Sequence, residues 1–416
     1  MTLIKTSILS AISTVIRVIA GFVSVKIVAV YIGPSGLALV GQMQSFIGMM
    51  SSIASAGIGG GVIKYTAEHY EDEATKQKIW SSALKISLVL VVPMAIAIIF
   101  LADFISFKLL HTTDYSTIFI VFAVSIVFFV LNGLLTSILN GQKEIKRLTL
   151  LNIAGALFGL GITIALVVNY QLYGALIAGI VSQSIVFFIT LGFVLKSSWF
   201  KFSLFLGSLD REYTKKLLKY SAMTLTSAIS IPLSHMYLRD YIGTNIGWDE
   251  AGYWQAIWRI SETYLMLVTM TLSVYYLPKL SSIQDRSELK KELLYGYKII
   301  MPLVIIMALG IYLFRDFVII LLFTPAFFSM SELFLYQLIG DIFKIASWLL
   351  GYIMIAKAMT RMYIVSELTF VVSFVVLSVV FMHLYGIIGM TIGFMVNYMM
   401  YLGFLYFSLR GYLNGQ

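Results

Sequence analysis

Six basic residues fall inside apolar stretches of this chain: Arg17, Lys26, Lys85, Arg259, Lys298 and Lys344. The same stretches hold three carboxylates, Glu262, Asp341 and Glu367. A charge near the centre of a bilayer costs roughly 2.5–3.5 kcal/mol even on lenient insertion scales, so each needs a partner or a watery cavity. The surplus of cations suits an anionic cargo and disfavours a cationic one. Lys85 and Lys298 stand about one turn from the ends of their stretches, where snorkelling accounts for them. Arg17 and Lys26 lie deeper. At ~100° per residue their separation puts them on opposite faces of one helix. Arg259 with Glu262, and Asp341 with Lys344, are i, i+3 pairs that can neutralise each other locally. Glu367 has no such neighbour in its stretch. A carboxylate withdrawn from water holds a proton more readily, so Glu262, Asp341 and Glu367 are candidates for coupling to a proton or cation.

Other chemistry is excluded by residue type. The chain has no cysteine, so disulfides, iron–sulfur centres and thiolate zinc sites cannot form. His69, His111, His235 and His383 are far apart without metal-ligand spacing, and they read as interfacial or loop histidines. No P-loop motif is present. No metal, cofactor or catalytic residue is expected.

The elements that must carry these charges are membrane helices. Of the 416 residues 60% are hydrophobic and 12% charged, against about 25% charged in soluble globular chains. The hydrocarbon core is ~30 Å thick and takes ~20 helical residues per crossing. Apolar stretches between polar breaks predict twelve spans, near 8–31, 38–63, 81–101, 117–138, 148–168, 174–195, 216–239, 251–277, 294–314, 333–356, 362–382 and 386–408. The first begins like a signal peptide, but it is too long, carries Arg17 and Lys26, and is echoed later in the chain.

The net charge of +9 follows from topology. Twenty basic residues fall in the N-terminal tail, the loops on its side and the C-terminal tail, from Lys5 to Arg410, while Lys108, Arg239 and Arg315 alone fall in the opposite loops. By the positive-inside rule both termini are expected in the cytoplasm. Nucleic acid is not needed to explain the basic balance.

The spans form two copies of a six-helix unit. Tyr31-Ile32-Gly33 recurs as Tyr241-Ile242-Gly243, Leu172-Tyr173-Gly174 as Leu384-Tyr385-Gly386, and Asp103-Phe104 as Asp316-Phe317. Pro93 matches Pro302, and Lys64 matches Lys279. An even number of spans gives both copies one orientation, the parallel type of transporter repeat, with a central cleft and alternating access by rocking. The expected divisions are an N-terminal lobe at 1–195, a cytoplasmic linker and start of the seventh helix at 196–219, and a C-terminal lobe at 220–416. Pro93, Pro232 and Pro302 lie inside apolar spans, where proline frees a carbonyl and bends the helix. They are hinge candidates, with Pro232 foremost because its helix opens the second lobe. The pairs Gly57/Gly61, Gly155/Gly159 and Gly389/Gly393 mark close helix packing.

A run of local motifs then resembles one family. These are Trp248-Asp249-Glu250, Gly252, Trp254-Gln255, Ser273-Val274-Tyr275 with Leu277-Pro278, and Arg315-Asp316-Phe317. They continue with Gln337-Leu338, Gly340-Asp341, Lys344, Gly351-Tyr352 and Ile355-Ala356-Lys357-Ala358. Together they resemble the Wzx-type O-antigen and polysaccharide repeat-unit flippases of the multidrug/oligosaccharidyl-lipid/polysaccharide exporter superfamily, nearest the enterobacterial branch of common-antigen lipid III flippases. The resemblance implies an all-α membrane protein of the bacterial inner membrane, with twelve helices in two lobes. It implies an undecaprenyl-diphosphate-linked oligosaccharide as substrate, a cationic cavity for diphosphate and sugar, and a lipid tail left in the bilayer. Arg17, Lys26, Arg259 and Lys344 are carried over as candidate substrate-binding cations, and a glycan polymerase and chain-length regulator as partners. Two other readings stand beside it. A multidrug/cation antiporter shares the superfamily fold but not the basic interior. A glycan polymerase would need a large periplasmic loop with a catalytic set, and residues 315–332 offer none.

Overall fold

The computed structural model describes residues 3–414, and the side chains of these except 3–11, 220 and 414. Among the described residues all regular structure is helical, as free backbone groups require where no water can satisfy them. In chain order the helices are α1 (Leu3–Ala54), α2 (Gly59–Glu68), α3 (Glu73–Phe100), α4 (Ala102–Leu110), α5 (Ser116–Gly141), α6 (Ile145–Leu195) and α7 (Arg211–Asn245). They continue with α8 (Trp248–Thr271), a π-turn (Leu272–Tyr276), α9 (Leu277–Ser282), α10 (Arg286–Leu313), α11 (Arg315–Leu322), a 3₁₀ stretch (Pro325–Leu333), α12 (Phe334–Ala356), α13 (Thr360–Tyr385) and α14 (Ile388–Asn414).

Eight of these helical stretches are long and apolar enough to cross a membrane. Polarity is inverted relative to a water-soluble fold. Phe100, Val89, Val372 and Ile306 are exposed, whereas Asp341, Gln337, Ser347 and Arg239 are buried. Large apolar side chains outside and polar ones inside are what a hydrocarbon solvent selects.

Two long helices differ from the expected span boundaries. α1 and α6 run through the predicted breaks, and each turns at one non-helical residue, Gly33 (φ 69°) and Gln171 (φ 47°). The second predicted span, 38–63, is itself interrupted. α1 ends at Ala54, Ala56 and Gly57 adopt left-handed conformations, and α2 restarts at Gly59. A Cβ at Gly57 would meet the Leu225 side chain at 3.0 Å, so the turn needs the glycine both for conformation and for room.

The chain divides into two compact units, residues 1–32 with 39–233, and residues 33–38 with 234–416. In the first, Trp80, Ile138, Val62 and Leu217 centre the apolar core; in the second, Tyr276, Leu349, Ile353 and Leu405 do so. Each unit contains the same local device. α3 and α10 are both 28 residues long and both start at an aspartate cap, Asp72 accepting from Thr75 N–H and Asp285 from Glu288 N–H. Each is followed at once by a short helix, α4 or α11. The caps set the register of these helices, and Pro93 and Pro302 fall one turn out of it. The sequence match of Gly174 with Gly386 shifts likewise. A Cβ at Gly174 would lie 2.0 Å from Leu166 O, and the close approach that mirrors it is Gly389 against Phe381 O at 2.1 Å.

The segment 196–210 is strapped onto the first unit. Arg147 donates to Ser197 Oγ and, at 2.8 Å, to Glu144, which also accepts from the Trp199 indole at 3.2 Å. Trp199 and Phe205 pack on Trp80, Gln77 donates to Ser203 O at 2.9 Å, and Lys201 pairs with Glu73. Ser81 Oγ donates to Ser208 O, and Asp210 N–H donates to Ser82 Oγ. The strap carries the first turns of α7 with it, burying Tyr213 and Leu217 in the same core.

Two measurements check this packing. Gly174→Ala and Gly389→Ala should each destabilise the protein in detergent melts by about 1–3 kcal/mol, because a backbone carbonyl cannot step aside. Gly161→Ala, which meets nothing within 4 Å, should not. A Cβ at Gly207 would lie 3.2 Å from Ser81 Cβ, close to the ~3.5–4.5 Å that a disulfide spans. In this cysteine-free chain Ser81→Cys with Gly207→Cys should therefore lose both thiols to maleimide on mild oxidation and regain them on reduction.

Candidate functional site

The polar interior of the second unit is built by α7, α8, α12, α13 and α14. α7 and α8 are not among the eight helices apolar enough to count as spans, and the reason is the set of polar residues they carry inward. On α7, Arg239 is 2% exposed. Its Nε and Nη2 donate to Gln255 Oε1 on α8 at 3.2 and 2.7 Å, and its guanidinium lies 5.6 Å from the Trp254 ring. One turn earlier, buried His235 packs edge-on against Trp258 at 4.3 Å and contacts Trp254 and Phe374.

This corrects two expectations. The sequence pattern places Arg239 in a loop and His235 at an interface or in a loop, yet both are buried side chains of a helix that continues to Asn245. Hydropathy ended the seventh span too early because the helix goes on through polar residues that it buries.

Asp341 on α12 is fully buried. Its Oδ2 accepts from Ser261 Oγ at 2.6 Å and from the Tyr264 hydroxyl at 2.9 Å, both on α8, and its Oδ1 accepts from Gln337 Nε2 at 3.4 Å. Gln337 Oε1 is buried there without a hydrogen-bond partner. One turn on, Lys344 does not close an ion pair with Asp341. Its Nζ sits over Trp258 (4.9 Å), Trp348 (5.1 Å) and Phe394 (6.0 Å). Cation–π contacts of a desolvated ammonium reach about 2 kcal/mol. Gly340 makes the box possible, since a Cβ there would come within 2.4 Å of the Phe394 ring. The expected neutral pair is thus two separately held charges.

Arg259 and Glu262 do pair, at 3.6 Å, with both side chains around half exposed. Glu262 also accepts from the Trp258 indole N–H at 2.9 Å. Glu367 on α13 is partly buried and within electrostatic reach of Tyr398 and Tyr401, so it is not the isolated carboxylate expected. In the first unit, Arg17 is exposed and Lys26 half-buried on the first arm of α1. Lys85 is half-buried and Lys298 exposed.

Several motif residues find their reasons here. Gly252 admits the Pro34 carbonyl, to within 2.0 Å of where a Cβ would stand, and Asp249 accepts from Ser35 N–H at 3.1 Å. Trp254 and Gln255 hold Arg239, and Gln337 and Asp341 bind Ser261. Ser273 in the π-turn meets the Tyr352 hydroxyl at 3.0 Å. Sequence reasoning missed Arg239, His235 and Trp258; the polar break near the end of the seventh span and the Trp–x3–Trp spacing on α8 were the available signals.

The described residues thus form a helical membrane protein of two compact units, one of which encloses buried charged side chains. Solved structures show that fold. An inward-facing multidrug resistance MATE family transporter of the MOP superfamily aligns over 96% of this chain and 95% of its own, with TM-score 0.82 at 16% identity. An outward-facing form aligns over 99% and 95%, with TM-score 0.75 at 17% identity. At that identity the likeness is one of fold. Residues 3–284 match the family described as polysaccharide biosynthesis protein. The lipid III flippase of Escherichia coli (strain K12) is 30% identical over 408 residues, covering 96% of each chain, and that of Shigella flexneri matches equally. The chain belongs to this polysaccharide biosynthesis family, the Wzx-type group that its motifs resemble, and is a multi-pass protein of the bacterial inner membrane.

The buried guanidinium provides a test of this geometry. Gln255→Leu removes the acceptor of two Arg239 hydrogen bonds, a loss of roughly 1–3 kcal/mol for a buried group. Thermal melts in detergent should fall by several degrees, and Gln255→Glu should lose less than Gln255→Leu.

Proposed function

We propose that the protein is a flippase. It moves undecaprenyl-diphosphate-linked O-antigen or related oligosaccharide repeat units from the cytoplasmic to the periplasmic leaflet by alternating access. The observation that carries this reading is the similarity to a lipid III flippase over 96% of each chain, in a chain that holds a buried Lys344 ammonium against aromatic rings. A drug/cation antiporter would be expected to carry more carboxylates than cations in its apolar stretches, the reverse of the balance here.

Twelve crossings support that role. The two arms of α1 and of α6 each count as two, and α7 and α8 cross despite their polarity, so both termini lie in the cytoplasm. The two lobes, 1–195 and 220–416, are joined by 196–219, a segment whose packing on the first unit ties it to the N-terminal lobe. Arg259, half exposed, receives the diphosphate first. Lys344 supplies the second charge as the glycan passes, and one of Arg17 and Lys26, which lie on opposite faces of the first arm of α1, is a further candidate substrate cation. A hydrated route spares the sugar hydroxyls the several kcal/mol each would lose in hydrocarbon. Asp341 is the strongest of the coupling candidates, with Glu262 and Glu367 behind it, because it alone is fully buried among three donors. Pro232 is the foremost hinge, since α7 passes from one unit to the other between Leu233 and Ser234; Pro93 and Pro302 act within their helices. A glycan polymerase and a chain-length regulator consume the delivered units, and that consumption draws flow downhill.

The test is complementation of a flippase-null strain at single-copy expression. Arg259→Gln and Lys344→Met should each cut surface glycan by about tenfold, the loss of one charge-assisted contact, with the lipid-linked unit accumulating on the cytoplasmic face. Full surface glycan in both variants would overturn the assignment.

A further inference from the structure

Trp258 contacts two charged groups of the polar interior, Lys344 and Glu262. Its ring lies under the Lys344 ammonium at 4.9 Å, and its indole N–H donates to Glu262 Oε1 at 2.9 Å. The other oxygen of that carboxylate reaches Arg259 Nη1 at only 3.6 Å. Trp258 itself is 8% exposed and wedged between His235 at 4.3 Å, Phe394 at 5.4 Å and Trp254 at 6.0 Å. It cannot turn without displacing those rings.

We propose that Trp258 is a positioning residue that keeps the two substrate cations available. The argument is geometric. Glu262 and Arg259 stand i, i+3 on one helix, a spacing at which a free carboxylate closes onto the guanidinium at ~2.7–2.9 Å. Here the indole N–H holds one carboxylate oxygen a turn back toward residue 258, and the ion pair stays long. Arg259 therefore keeps N–H donors for an incoming diphosphate. The same ring holds the Lys344 ammonium by a cation–π contact, which stabilises that charge without cancelling it. Glu262 is then a tethered counter-charge rather than a coupling acid.

This inference rests on the flippase reading and is tested by binding, which does not require transport. Undecaprenyl diphosphate is titrated into the protein in lipid nanodiscs, and transport of a lipid-linked glycan is followed in proteoliposomes. Trp258→Phe keeps an aromatic face beside Lys344 and removes the indole N–H together with part of the ring area, and the double variant with Glu262→Gln isolates the N–H. The single variant should weaken undecaprenyl diphosphate binding about fivefold, as for one freed carboxylate competing for a guanidinium. The maximal transport rate at saturating substrate should be preserved. Trp258→Phe with Glu262→Gln should restore binding to the level of Glu262→Gln alone, because the neutral amide no longer competes; a merely structural role for the indole predicts no such rescue. Unchanged binding in Trp258→Phe, or a double variant as weak as the single one, overturns the role of Trp258 with the flippase reading intact. A wild-type protein that binds undecaprenyl diphosphate but never carries a glycan across sinks the flippase reading, and the binding comparison still decides the role of Trp258.

Discussion

No water reaches the hydrocarbon core of a bilayer, so every polar group placed there must be satisfied by the protein itself. That constraint orders the whole chain. It makes the backbone helical, turns leucine, valine and phenylalanine outward, and forces the few polar side chains into mutual contact. Serine and threonine comply by back-bonding within their own helices, as Thr163 does to Gly159 O and Ser184 to Ile180 O. Charged groups cannot comply so cheaply, because a buried ion left uncompensated costs several kcal/mol. Arg239 with Gln255, Asp341 with three donors and Lys344 in its aromatic box are three different solutions to one problem.

The last two share a property: Asp341 and Lys344 do not close an ion pair with each other. Two opposite charges in contact would satisfy the bilayer constraint equally well, and the i, i+3 spacing of Asp341 and Lys344 permits it. The structure instead holds the carboxylate with hydroxyls and an amide, and the ammonium with rings. Neutral dipoles and quadrupoles stabilise a charge without cancelling it. An interior arranged this way retains a field that can act on a third party.

The helical class and most of the span positions were legible because composition and run length report burial in lipid directly. The breaks were less so. Gly33 and Gln171 turn the chain inside otherwise continuous apolar sequence, and nothing in hydropathy marks a single residue with positive φ. The motif pairs that suggest an internal repeat do not all coincide with matching local structure. Gly174 resembles Gly386 in its neighbours, but contact with a carbonyl eight residues back pairs it structurally with Gly389. At the site, Arg259, Glu262, Asp341 and Lys344 were found as charges in apolar runs. Their partners were not, since Trp258, Trp348 and Phe394 look like any membrane aromatic until the helices are packed. Arg239 and His235 were missed for a converse reason: their helix is polar enough to look like its own end.

That failure is itself informative. A span-finding rule looks for an uninterrupted apolar run, and α7 and α8 do not offer one because they carry polar residues that the fold buries. The helices least like transmembrane segments are then the ones that must line a polar interior. Their polarity is tolerable only because α12 and α14 bring Asp341, Lys344 and Phe394 to meet it, and α12 carries Gly340 to let Phe394 approach. Each of these residues is costly alone and stable in company. Replacing any one of them by leucine would strand the others, because a buried charge left uncompensated costs several kcal/mol.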